Sequence, residues 1–144
     1  MRILLDTSVL VAAMVEAHPA HEQAFPWLKR VTSGPDTGFV AAHSLAELYA
    51  ILTTLPVQPR ISPTDALELL KHNIIDTLKV VFLSDHDYIE VIEHLSTLGV
   101  VGGSTYDALI LRTAVNTNVE QVVTLNEKDF RRVYPELADR IISP

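Results

Sequence analysis

The chain has no cysteine, which removes disulfides and thiolate metal sites from consideration and leans towards the cytoplasm as its compartment. It also has no excess of positive charge: 11 Lys and Arg stand against 18 Asp and Glu, for a net charge of −7. That balance argues against a protein that holds nucleic acid through a broad basic footprint. It leaves open a site built from clustered acids, which lower the net charge until a bound cation reverses it locally, and it equally suits a basic partner. No apolar run is long enough to cross a bilayer, and Asp6 interrupts a signal-peptide reading of the N-terminus. A Walker loop, a Gly-x-Gly-x-x-Gly after a strand and a Gly-x-Ser-x-Gly elbow are all missing, so ATP, dinucleotide and serine-hydrolase chemistry have no carrier. Nor is there an internal repeat or low-complexity tract. The 144 residues, 48% hydrophobic and 20% charged, are expected to form one domain, 1–144, around a substantial core.

Short apolar runs alternate with helical patterns along the chain. Strands are expected at 1–5, 39–41, 79–83 and 121–125, with a possible last one at 140–142. Helices are expected from Val9, over 19–30 with Pro26 disturbing it, and over 44–55, 62–75, 84–98, 104–115 and 127–133. Ser62-Pro63 has the form of a cap followed by proline in the first helical turn, and 99–103 reads as a flexible link. Strand and helix in alternation predict a mostly parallel sheet covered on both faces. In such sheets ligands bind outside the carboxyl ends of the strands, which is where Asp6 and Asp129 fall in sequence.

Four dispersed acids carry the chemical argument. Asp6 closes the run Ile3-Leu4-Leu5 and is placed either to cap the following helix or to hold a ligand; Thr7 and Ser8 add hydroxyls suited to capping or to holding water. Glu47 borders the apolar stripe of Leu45, Leu48, Ile51, Leu52 and Leu55, where a glutamate ordinarily reaches solvent. Asp107 is the sharpest signal. A helical wheel sets it amid Tyr106, Ala108, Ile110, Leu111, Ala114 and Val115, with Thr105, Arg112 and Thr113 opposite, and a buried carboxylate needs a compensating partner. Asp129 is either a site acid or an exposed neighbour of Arg131 and Arg132, and Asn126 competes with it for the same place. Carboxylates that converge repel and raise one another's pKa unless a cation holds them ionised, and oxygen donors alone suit Mg²⁺ or Mn²⁺.

These residues carry a resemblance. Ile3-Leu4-Leu5-Asp6-Thr7-Ser8-Val9-Leu10, the acid in Ala46-Glu47-Leu48, Tyr106-Asp107-Ala108, and Val123-Thr124-Leu125-Asn126-Glu127-Lys128-Asp129-Phe130 resemble the signature blocks of PIN domains, and their order and spacing are similar to those of VapC-type toxins. The resemblance implies a three-layer α/β/α fold with a mostly parallel central sheet of four to five strands. It implies an Mg²⁺- or Mn²⁺-dependent endoribonuclease in which Asp6, Glu47 and Asp107 are the catalytic, metal-binding acids and Asp129 or Asn126 completes the site, with Thr7, Ser8 and Thr124 in support. It further implies RNA as substrate, a homodimer and a VapB-like antitoxin partner, with no membrane association.

The rival readings are weaker. His18 and His21 flank Pro19 and read as surface residues rather than a zinc pair; His43, one turn before Glu47, reads as a solvated helix start. A phosphatase using Asp6 as nucleophile wants a second acid two positions on, where Ser8 stands. A module that has lost catalysis and acts through its partner would use the apolar faces around 9–14 and 51–55. Lys128, Arg112, Arg131 and Arg132 are the cations available to RNA phosphates.

Overall fold

The computed structural model describes residues 1–144. The run Ile3-Leu4-Leu5 is apolar at every position because its strand is buried on both faces, as parallel strands are. β1 (Arg2–Leu5) leads through α1 (Thr7–Met14) and α2 (His21–Thr32) to β2 (Thr37–Ala41). Next, α3 (Ala42–Thr54) and α4 (Pro63–Leu70) lead to β3 (Lys79–Val81). The chain then returns through α5 (Asp85–Leu98) and α6 (Ser104–Thr117) to β4 (Gln121–Val123), and ends through α7 (Glu127–Val133) at β5 (Ile141–Ile142). The five strands are all parallel and lie in the order β3-β2-β1-β4-β5. Leu4 pairs with Phe39 on one side and Val122 on the other, which makes β1 the centre of the sheet.

The period of two along each strand sorts the core into two layers. Ile3, Leu5, Val40 and Val123 point to one face and pack under α1–α4 with Val9, Leu28, Leu48, Leu52 and Leu70. Leu4, Phe39, Ala41 and Val122 point to the other face, under α5–α7 with Val91, Leu111 and Phe130. Parallel crossovers are right-handed, so reversing the direction of travel across the sheet moves the connecting helices to the opposite face. The chain travels β1 to β3 one way and then turns back to β4 and β5. Gly38 in β2 permits the close approach of α2: a Cβ there would lie 2.7 Å from Val31 Cβ and 2.8 Å from Leu78 Cγ.

The expected elements are all present, with changes at their ends. Pro26 does not stop α2, which runs on to Thr32 with Leu28 and Val31 anchored in the core. Ser62 caps α4 by accepting from Asp65 N–H at 3.1 Å, with Pro63 in the first turn. The expected helix to Ile75 changes winding at Leu70 and finishes as a π-turn over Lys71–Ile75. Ser84 and Asp87 form a reciprocal capping box for α5, and Gly99 ends it in the left-handed region with φ 70°. The expected strands 79–83 and 121–125 end at Val81 and Val123. Arg140, expected in the last strand, belongs to a 3₁₀ turn over Pro135–Arg140. No helix is long and apolar enough to cross a membrane.

Candidate active site

The reversal of chain direction makes the β1/β4 boundary the topological switch point, where an open parallel sheet leaves a crevice beyond its carboxyl ends. Asp6 sits there. It occupies the cap position of α1, yet its side chain makes no capping bond. Instead Asp6 Oδ2 accepts from Ser8 Oγ at 2.7 Å and from Thr124 Oγ1, beyond β4, at 2.8 Å. Both hydroxyls are in turn held by the loop after β4. Leu125 N–H donates to Ser8 Oγ at 3.1 Å and Asn126 N–H to Thr124 Oγ1 at 3.0 Å. Asp6 is 3% exposed, and its burial pushes its pKa up while the two hydroxyl bonds pull against that.

Thr7 does not cap α1 either. Its hydroxyl lies 2.9 Å from Ser44 Oγ and 3.1 Å from Glu47 Oε1, tying α1 to α3. Glu47 is therefore half-buried and turned inward, not spread on a solvated face. His43, expected at a solvated helix start, lies with Nε2 3.6 Å from Glu47 Oε1 and stacks on Tyr106.

Asp107 enters from the first turn of α6. It is half-buried, so the wheel's middle-of-the-core placement does not hold. Tyr106 and Val115, assigned to the apolar arc, are 52% and 41% exposed. Thr113, assigned to the polar side, is fully buried with its hydroxyl donated to Leu109 O at 3.1 Å. The helix is covered on more than one side, so a single apolar arc misplaces its borders. Burial pushes the Asp107 carboxyl up to about 7, aided by the negative charges of Asp6, Asp129 and Glu47 and opposed by Arg132. The other three predicted acids thus all lie within electrostatic reach of Asp107.

Asp129 is exposed, with Oδ1 3.7 Å from Arg132 Nη2, and shares a shallow hollow with Asn126, Glu127 and Lys128. Asn126 stands at the start of α7 with no side-chain capping bond. No three acidic or imidazole side chains close into a set tight enough to hold an ion as they stand. Mutually repelling carboxylates are expected to stand apart without a counter-charge. The donor chemistry fits a hard divalent cation: oxygen ligands only, two of them already fixed by hydroxyls.

The other sequence candidates separate clearly. Arg112 pairs with Asp87 at 2.9 Å and with Glu90, and Arg131 is spent on Glu127, Ala138 O and Ile141 O. Arg132 is the cation whose charge reaches Asp107. His18 Nδ1 accepts from Ala20 N–H at 3.0 Å while His21 Nδ1 lies 2.9 Å from Ala12 O, so each imidazole has its own local partner. The largest surface hollow, lined by Glu90, His94, Arg112 and Tyr134 among others, contains none of the four acids, and its Arg112 is already paired with Asp87 and Glu90. Sequence reading undervalued His43; its spacing of four from Glu47 on one helix was the available signal.

This chain matches the model of the PIN domain over residues 3–135. It is 37% identical to Ribonuclease VapC40 of Mycobacterium tuberculosis over 109 residues, 76% of this chain and 75% of that protein. It is 30% identical to Ribonuclease VapC27 of the same species over 118 residues, covering 82% and 80%. Among solved structures, VapBC2 of Rickettsia felis, bound to a DNA fragment from its promoter, matches with TM-score 0.66 and 22% identity over 100% of this chain and 98% of that one. VapC20 of Mycobacterium tuberculosis, a Sarcin-Ricin loop cleaving toxin, matches with TM-score 0.65 and 18% identity, covering 83% and 86%. With the sheet order, the crevice and the match over nearly its whole length in agreement, the chain belongs to the PIN domain family.

Proposed function

We propose that this chain is a divalent-metal-dependent endoribonuclease, acting as one domain and serving as the toxin of a type II toxin–antitoxin pair. The observation that carries the reading is Asp107, whose carboxyl is lifted to about 7 by burial and by three other acids from three separate elements. A fold has no structural use for such mutual repulsion, and a cation turns it into attraction. The ribonuclease names of the relatives support the reaction class.

Asp6, Glu47, Asp107 and Asp129 would hold Mg²⁺ or Mn²⁺. The chemistry supplied by such an ion is positive charge for the phosphodiester oxygens and acidification of water. The chain's own residues prepare the site. Ser8 and Thr124 both donate to Asp6 Oδ2 and so fix the orientation of its carboxylate. Thr7 fixes Glu47 by the same device. Asp107 holds a proton about half the time at neutral pH while uncompensated, and releases it when positive charge arrives. Arg132 adds the one cation that reaches this group from the protein side.

A VapB-like antitoxin, a homodimer and a cytoplasmic location complete the proposal; the VapBC complexes among its fold neighbours support the partner. The test is cleavage of tRNA and rRNA with Mn²⁺ or Mg²⁺, with EDTA, and with Asp107→Asn. Cleavage in the presence of the ion alone, lost in EDTA and in the variant, is the expected result. Cleavage that survives both overturns the proposal.

A further inference from the structure

Resting on the ribonuclease reading, we propose that the Tyr106–His43 stack is a platform for a nucleobase of the RNA next to the cleaved bond, so that Tyr106 is a substrate-positioning residue. The two rings lie 5.1 Å apart between centroids with their planes within 1° of parallel. They come from different helices, α6 and α3, and each is tied to a site acid: Tyr106 precedes Asp107, and His43 Nε2 is 3.6 Å from Glu47 Oε1. His43 fills one face of Tyr106. Tyr106 is still 52% exposed, so part of its surface stays open beside Asp107.

Three features favour a base over a protein side chain as occupant. A parallel stack extends naturally by a third planar ring, and base stacking on aromatic side chains is the sequence-tolerant way to hold a single strand. The platform sits beside acids that repel phosphate until a cation is present, so affinity drawn from base faces suits a chain of net charge −7 better than affinity from phosphates. Continuing away from the acids, His43 also lines a cleft with Tyr88 and Phe82, the latter 81% exposed, which extends the aromatic surface along the carboxyl ends of β2 and β3.

The experiment compares kcat and KM for the wild-type protein, Tyr106→Ala and Tyr106→Phe on a single-stranded RNA that the wild type cuts. The same RNA with one abasic nucleotide beside the cut is the second substrate. The expected result is a KM raised about tenfold or more in Tyr106→Ala with kcat nearly unchanged, and Tyr106→Phe close to wild type. The abasic RNA should reproduce that loss with the wild type, and the two losses should not add. An unchanged KM in Tyr106→Ala overturns the platform, as does a loss that adds fully to the abasic one on each side of the cut. A Tyr106→Ala variant that keeps its RNA kinetics but loses antitoxin binding assigns the stack to a protein interface, and the proposal falls. A wild-type protein that cuts no RNA with either metal defeats the ribonuclease reading itself, before any variant is compared.

Discussion

The crevice has two halves, and they hold their carboxylates differently. On the β1–α3 side, Asp6 and Glu47 are gripped by hydroxyls of Ser8, Thr124 and Thr7. On the α6–α7 side, Asp107 is governed by burial and by the charges of its neighbours, and Asp129 faces solvent near Arg132. Hydrogen bonds from uncharged hydroxyls stabilise a buried carboxylate in place without cancelling its charge. The first half is thus a fixed wall, and the second holds Asp107, whose ionisation responds to its surroundings.

Replacing the responsive acid breaks this contrast most severely. Asp107→Asn should reduce cleavage at least a hundredfold, beyond the range for residues that only support metal ligands, while raising thermal stability in EDTA at neutral pH because the repulsion is gone. Activity assays and melting curves on the same preparation check both signs. Thr124→Val attacks the fixed wall: it removes a donor to Asp6 and the acceptor of Asn126 N–H. It should lower activity about 10- to 100-fold and stability by about 1–3 kcal/mol, measured by kinetics and urea unfolding.

Changing the pH sharpens the contrast with the sequence intact. Asp107 has its folded pKa raised to about 7 from 3.8, so between those values the folded chain binds the extra proton. Its contribution to stability is present in full below the lower value and is lost as pH rises through about 7, and the raised pKa of Asp6 acts in the same direction. Melting temperatures in EDTA should fall over that interval. Mn²⁺ affinity should rise with pH over the same interval, by up to about tenfold per unit, with proton release visible by calorimetry in buffers of different ionisation enthalpy. The smallest effect is expected from Arg132→Ala: an exposed cation is removed, and the pH midpoint of Mn²⁺ binding should move up by less than about one unit.

Much of this arrangement could be read from the residues. The uninterrupted Ile3-Leu4-Leu5 announced a doubly buried strand, Ser62-Pro63 a helix start, and Asp107 a charge in need of explanation, because each signal lies within a few neighbours. The hydroxyl network could not be read that way. Thr124 meets Asp6 across 118 residues and Thr7 meets Ser44 across 37, so local sequence suggests capping or water-holding for Thr7 and Ser8 but not these partners. Partners that a helical wheel does not register also explain the misplacements on α6. Arg112 looked solvated until α5 supplied Asp87 and Glu90, and Thr113 looked polar until its hydroxyl turned back to its own helix.

The sheet's two borders are abrupt: β3 has three residues and β5 only two. So few free amides and carbonyls give another chain almost nothing to zip onto, which protects the molecule from runaway strand-to-strand polymerisation. Association with a second copy, or with any regulator, is thereby left to the outer surfaces of the helices.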